Sequence, residues 1–219
     1  MTKAEILKKT ENFARRLMVE VKAPDHDFSH VLRVRKLAKK LAKPEEVDSF
    51  KIQMVALLHD IGRGKEDFKI GLTHADISEK LARPYLTKIK EITNVEREEI
   101  LEAIRRHSKG NSYDSKLTQV FQDADRLDAL GVIGIVRLIL FKPEMKICQS
   151  PASFLIRKWN QNEIDAKKNR GEEVFYDLVS GIIFVLSFYD VMNTKLGKKL
   201  AQPLIKEMKD FLLKLKKEI

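Results

Sequence analysis

Apolar residues recur at three- and four-residue spacing along most of the chain, the period of a helix with one face turned to a core. In residues 2–21 the series is Ile6, Phe13, Leu17 and Val21, with Thr2 and Glu5 placed as a capping box. Ala23-Pro24-Asp25 breaks that helix, and a second is predicted over about 28–42, with His30, Val34, Leu37 and Leu41 on one face and Lys43-Pro44 at its end. A third runs from Glu45 to Asp60 and carries Phe50, Met54, Leu57 and Leu58 inward. A fourth opens at His74 and continues to about Tyr85 despite Pro84, and a fifth spans Asn94 to His107 with Val95, Ile100 and Ile104 as its stripe. Lys116 to about Leu140 reads as one long helix, although Gly131 and Gly134 weaken it relative to alanine; a closely packed helix or room for a substrate would explain both glycines. Residues 141–150 read as a loop or lid, Phe154 to Asp165 as a short helix carrying Trp159, and 167–172 as a solvated loop. Val174 to about Met192 is apolar enough to require burial, and a last helix ends at Ile219 with Leu196, Leu200, Ile205, Met208, Leu212 and Leu215 on one face. No alternating stretch of strand length appears, so the predicted fold is all-α.

Composition narrows the class. A chain of 219 residues with 43% hydrophobic residues can bury one core, which argues against global disorder. One domain is expected over 1–219, with a core at about 22–140 and C-terminal helices at about 151–219 packed on it. Cys148 is the single cysteine, which excludes an internal disulfide framework and a cysteine-based zinc finger and suits a reducing cytoplasm. No apolar run reaches membrane-spanning length, and Met1-Thr-Lys-Ala-Glu-Ile is not a signal peptide, so a cytoplasmic protein without a membrane partner is expected. The net charge of +10 permits anionic partners, but lysines are spread over many helices with glutamates between them. A solvated surface explains that pattern better than nucleic-acid binding does.

Five histidines carry the candidate chemistry: His26, His30, His59, His74 and His107. Each sits at a predicted helix end or in an acid-rich motif. His59 and Asp60 follow the apolar run Met54 to Leu58, just before Gly62 and Gly64 stop the helix. By itself such a pair is most simply a C-terminal cap; alternatively, an imidazole nitrogen and a carboxylate that can bridge two ions share one cavity. His30 leads the inward face of its helix. Downstream, Asp125 and Asp128 are three residues apart and share a face among Val120, Leu127, Leu130 and Ile135, where an unpartnered carboxylate would be costly. A metal would partner Asp125, while Asp128 and Asp123 are candidates for orienting a histidine or holding Arg126, with an ordinary surface Asp–Arg pair as the plain reading of Asp123. Cations crowd the same motifs. Arg63 and Lys65 lie on the loop after His59-Asp60, Arg105, Arg106 and Lys109 flank His107, and Arg137 follows an apolar run that aims it at the cavity; such donors suit phosphate oxygens.

The order His30, then His59-Asp60, then Asp125 resembles the HD-domain superfamily of metal-dependent phosphohydrolases. The segments Asp27-Phe-Ser-His-Val-Leu-Arg-Val, Leu57-Leu-His-Asp-Ile-Gly-Arg, Ala103-Ile-Arg-Arg-His-Ser and Asp123-Ala-Asp-Arg-Leu-Asp-Ala-Leu-Gly-Val-Ile-Gly-Ile-Val-Arg look like one compact branch of it. The tail Phe188-Tyr-Asp-Val-Met-Asn is similar to that branch's end, and the region from Phe141 to Val174 matches less clearly. The resemblance implies an HD-type helical bundle with a C-terminal helical extension. It implies a divalent ion on His30, His59, Asp60 and Asp125: manganese first, with iron, cobalt, nickel, zinc or magnesium as options. His74 and His107 fall where binuclear members carry extra histidines, so a second metal or a substrate contact is expected there. Asp60, Arg63, His107 and Asp128 are the expected catalytic set, and Arg63, Lys65, His74, Arg106, Lys109 and Arg137 the expected substrate contacts. The expected partner is a small phosphorylated substrate, a nucleotide cleaved at a phosphoanhydride or phosphoester bond, and a homodimer is a further expectation. The competing reading is a non-catalytic nucleotide- or RNA-binding module on the same fold, which an intact ligand set argues against. Metal-dependent oxygenase chemistry on this scaffold is less favoured, because phosphate-binding cations surround the motifs.

Overall fold

The computed structural model of the chain describes residues 1–19, 21, 23–66, 71–110, 114–154, 167 and 174–219. Among these it is all-α: α1 (Lys3–Met18), α2 (Phe28–Ala42), α3 (Ser49–Leu58), α4 (His74–Thr87), α5 (Asn94–Arg106), α6 (Lys116–Asp128), α7 (Gly131–Phe141), α8 (Leu178–Leu186) and α9 (Lys195–Glu218), with no β-strand among the described residues. Single 3-10 turns lie at Pro24–His26, Pro151–Phe154 and Ser187–Tyr189. No described helix is long and apolar enough to cross a membrane.

α3 is the centre of the bundle. Ile52 and every residue from Met54 to Leu58 are fully buried, so beyond its first turn this helix has no solvent face, and α1, α2, α5 and α6 all pack against it. A helix surrounded in this way delivers the residues after its last turn, His59 and Asp60, into the middle of the molecule. Gly62 then lets α4 come close. A Cβ there would lie 2.6 Å from Ser78 N and 2.7 Å from His74 O, and the Gly62 amide donates to Ser78 Oγ at 2.9 Å. Gly64, at φ 76°, completes the turn.

Local signals set several boundaries where the sequence predicts them. Thr2 and Glu5 form the expected capping box on α1, Asp27 caps α2 through the His30 amide, and α4 passes through Pro84 to Thr87. Other boundaries differ. α3 starts at Ser49, because Asp48 accepts from the Phe50 and Lys51 amides and so caps the helix four residues after Pro44. The apolar stretch from Val174 to Met192 is helical only over Leu178–Leu186, with Asp177 as its cap and a 3-10 turn after it. The predicted helix at 154–165, including Trp159, and most of the predicted loop at 167–172 lie outside the described residues.

The predicted long helix over 116–140 is two helices. Ala129 ends α6, and Gly131 at φ 72° starts α7 in a new direction. A Cβ on Gly131 would sit 2.9 Å from Leu204 Cδ2, so close packing of α9 explains this glycine. Gly131→Ala is therefore expected to lower the unfolding free energy by about 1–2 kcal/mol, the cost of forcing an L residue into that region. Urea titration checks this, and an unchanged midpoint would show that the turn does not need glycine. α9 packs on α6, α7 and α8. Its start is tied to α6 by Asp123, which is fully buried and not part of a surface pair. Asp123 accepts from the Asn193 amide (2.8 Å), the Thr194 amide (2.7 Å) and the Thr194 hydroxyl (2.8 Å), with Arg126 more distant at 3.8 Å.

Candidate metal centre

Four side chains from three regions meet behind the end of α3. His30 comes from the first turn of α2, His59 and Asp60 from the turn after α3, and Asp125 from the last turn of α6. His30 Nε2 lies 3.3 Å from His59 Nε2, 3.6 Å from Asp60 Oδ2 and 3.4 Å from Asp125 Oδ1. His59 Nε2 lies 3.5 Å from Asp60 Oδ2 and 3.9 Å from Asp125 Oδ1. The other ring nitrogens fix the tautomers. His59 Nδ1 faces the Ala56 carbonyl at 2.9 Å, and His30 Nδ1 faces Asp128 Oδ2 at 2.8 Å. Each Nδ1 must donate, so both Nε2 atoms present lone pairs to one another and to two carboxylates. Acceptors converging in a buried space need a cation between them, and two imidazoles with two carboxylates suit a divalent transition ion. The donor set therefore fits the metal that the resemblance implies.

Electrostatics agree with that geometry. Burial pushes the His59 imidazole down to about 4, so it is neutral and free to ligate near neutral pH. Burial works against charge on His30 as well, but Asp125 and Asp128 outweigh it and raise its pKa, so a cation at Nε2 would take the place of a proton there. Burial would raise Asp60, yet the Arg63 guanidinium and the histidines around it hold the carboxyl well below its usual range. Asp125 is likewise lowered, with burial overcome by His30 and then His59.

A second cluster shares Asp60. Its Oδ1 lies 3.6 Å from His74 Nε2 and 3.8 Å from His107 Nε2, and those two nitrogens are 3.1 Å apart. His107 Nδ1 faces the Ile104 carbonyl at 2.6 Å, so its Nε2 is again an acceptor. Asp60 thus presents one oxygen to each cluster, the arrangement a bridging carboxylate needs.

A cavity of about 330 Å3 opens onto both clusters. Arg63, His74, His107, Lys109, Asp125 and Arg137 line it. Arg63 donates to both Asp60 oxygens, at 3.1 and 3.3 Å, and its buried Nε–H has no hydrogen-bond partner among the described residues. Lys109 lines the cavity while paired with Asp76 at 3.1 Å. Arg137 is more occupied than its sequence position suggests, donating from Nε to the Asp25 carbonyl (2.7 Å) and from NH1 to Asp128 (3.0 Å). Arg106, held by Glu102 at 2.7 Å, and the exposed Lys65 are not among the residues lining the cavity. Asp128 stands behind His30 and also binds Arg33, through Nε at 2.7 Å and NH2 at 3.0 Å.

Sequence reasoning counted His26 among the five histidines without giving it a role, and did not select Asp25 or Arg33. His26 and Arg33 lie four residues before and three after His30, a spacing that could have flagged them. His26 pairs with Asp25, lines the cavity, and has a ring nitrogen close to His30 and Asp60. The aromatic lining from Phe141, Phe175, Phe184 and Phe188 comes from distant segments and carries no local signal.

A helical bundle that gathers His, His-Asp and Asp around one buried point defines a class of metal-dependent phosphohydrolases. Residues 27–130 match the HD domain, and HD domains bind divalent metals. Protein YpgQ of Bacillus subtilis is 33% identical over 122 residues, which span 53% of this chain and 57% of that relative, so the match covers little more than half of its length. An HD-superfamily hydrolase from Bacillus thuringiensis is 26% identical, with a TM-score of 0.70 over 99% of this chain and 98% of that one. The crystal structure of YpgQ in complex with ADP is similar in fold, with a TM-score of 0.69, 23% identity and coverage of 100% of this chain and 97% of that one.

Proposed function

We propose that this protein hydrolyses a nucleoside triphosphate between its α- and β-phosphates, releasing pyrophosphate and a nucleoside monophosphate. The observation that carries this reading is the cationic lining of the cavity that opens onto the two clusters, Arg63 foremost. Charged donors at that point suit anionic ligand oxygens. Lys109 and the remaining donors of Arg137 extend the cationic lining, which suits a chain of phosphates better than one. YpgQ, the relative crystallised with ADP, supports a nucleotide as the bearer of that chain.

His30, His59, Asp60 and Asp125 would hold the ion, with manganese the first choice; His74 and His107, with Asp60, would hold a second ion or touch the substrate. A divalent ion held there would lower the pKa of a bound water and polarise a phosphoryl oxygen. Asp128 keeps the His30 ring turned so that Nε2 faces Asp60 and Asp125. The carbonyls of Ala56 and Ile104 do the same for His59 and His107. Arg63 holds Asp60 ionised and places a guanidinium where charge builds on the phosphate during cleavage.

Incubating the manganese-loaded protein with nucleoside triphosphates and separating the products by ion-exchange chromatography tests this reading. Monophosphate and pyrophosphate are the expected products, and chelator should abolish their formation. Nucleoside with intact triphosphate would move the cut to the ester bond. Cleavage of monophosphates alone, with triphosphates left intact, would overturn the reading, and nucleotide binding without turnover that chelator leaves unchanged would favour a binding module.

A further inference from the structure

The cavity has a second character that metal chemistry does not use. Its cationic lining comes from residues between Asp25 and Arg137, whereas the end of α7 and the segment around α8 contribute Leu138, Phe141, Phe175, Phe184, Val185 and Phe188. The rings form one connected cluster. Centroids are 6.1 Å apart for Phe141 and Phe175, 5.8 Å for Phe175 and Phe184 (planes inclined by 29°), and 5.3 Å for Phe184 and Phe188 (edge to face). Gly181 makes room for it, since a Cβ there would lie 3.0 Å from Phe175 Cδ2.

α6 holds this wall in register with the metal centre. Arg126, next to Asp125, donates from NH1 to the Val191 carbonyl at 2.7 Å, just past the turn that carries Phe188. Asp123, two residues earlier, binds the Asn193 and Thr194 amides. One short stretch of helix therefore places a candidate ligand on the cavity and clamps the aromatic segment opposite.

We propose that the aromatic end of the cavity is a nucleobase subsite, which makes Phe188 and Phe175 specificity-determining residues. The inference rests on the nucleotide reading above and adds the part of the chain that recognises the base. Rings arranged face and edge around an opening favour a planar π system over a flexible chain, because stacking adds to area burial. Ser187 and Asp190 also line this end and offer acceptor oxygens. Amino and ring N–H groups of a base can donate to them, which a hydrocarbon tail cannot do. With Arg63 and Lys109 at the phosphate end, a nucleotide has one orientation that matches both halves.

The test compares two probes on the manganese-loaded protein by titration calorimetry: α,β-methylene ATP, and inorganic tripolyphosphate, which lacks the base. Phe188→Leu keeps apolar bulk and removes the ring; Phe188→Trp keeps a ring. The leucine variant is expected to bind the nucleotide analogue about tenfold more weakly, the scale of one lost base–aromatic stack, while binding tripolyphosphate within about twofold of wild type. The tryptophan variant should restore nucleotide affinity. Equal losses for both probes, no loss for either, or no rescue by tryptophan would overturn the subsite. Wild-type protein that binds tripolyphosphate but not the nucleotide analogue would overturn the subsite and the nucleotide reading together. Wild-type protein that binds the analogue while Phe188→Leu binds it equally well would overturn the subsite alone.

Discussion

On the proposed ligand set, His59→Ala and Asp60→Ala are each expected to abolish divalent-ion binding and lower hydrolysis by at least about a thousandfold, because an ion held there would activate the attacking water. The two substitutions reach the same outcome by different routes. His59 is fully buried, with Nδ1 bound to the Ala56 carbonyl, so its deletion removes a neutral nitrogen ligand and leaves space beside Phe121, whose ring is 5.1 Å away. Asp60 faces both histidine clusters, so its loss uncouples His30 and His59 from His74 and His107 and leaves Arg63 without its carboxylate. Neither residue lies within a helix, since α3 ends at Leu58. Far-UV circular dichroism should therefore stay close to wild type, which separates loss of the centre from loss of the fold. Elemental analysis of the purified variants and turnover at saturating manganese complete the measurement. A variant that keeps full metal content and turnover would remove the central pair from the ligand set.

What the sequence made legible depended on how local each cause was. The capping box of Thr2 and Glu5 and the Lys43-Pro44 break act within one turn, and α1 begins and α2 ends close to where these signals put them. The break at Gly131 rests on a left-handed backbone, and a glycine in an apolar run does not by itself say whether the helix ends or only packs closely, so apolar periodicity ran straight through it. The same distinction holds at the site. Spacing put His30 and Asp125 on inward faces, and the structure brings both to His59 and Asp60. Spacing did not say what lies opposite each face of α6. Asp125 and Asp128 turn toward His30, while Asp123 turns toward the start of α9, and three similar carboxylates in one short motif thus have different surroundings. Cation positions were the least legible. Arg63 and Lys109 reach the cavity, but Arg106 is drawn to Glu102 on its own helix and Lys65 stays on an exposed turn, because long side chains choose partners that adjacency in sequence does not reveal.

Asp128→Asn is expected to weaken metal binding by about 10- to 100-fold while leaving every candidate ligand in place, the usual penalty for losing the group that orients a ligating histidine. Asp128 is buried and satisfies three cationic or donor groups at once: His30 Nδ1 at 2.8 Å, Arg33 through Nε at 2.7 Å and NH2 at 3.0 Å, and Arg137 NH1 at 3.0 Å. Asparagine keeps the shape, but it offers one carbonyl oxygen and turns an NH2 toward at least one of these donors. The His30 ring then loses the bond that fixes its tautomer, and two guanidinium groups lose their counter-charge. Arg33 is partly solvated, so the stability cost should be on the order of 2 kcal/mol rather than that of a fully buried pair. Because Arg137 also holds the Asp25 carbonyl, the turn carrying His26 should loosen with it. The deciding experiment titrates manganese into wild type and variant and follows turnover across the same range. If Asp128 acts through His30, activity lost at low manganese returns near saturation. Unchanged metal affinity with turnover that stays depressed at saturating manganese would instead place Asp128 in direct contact with the substrate.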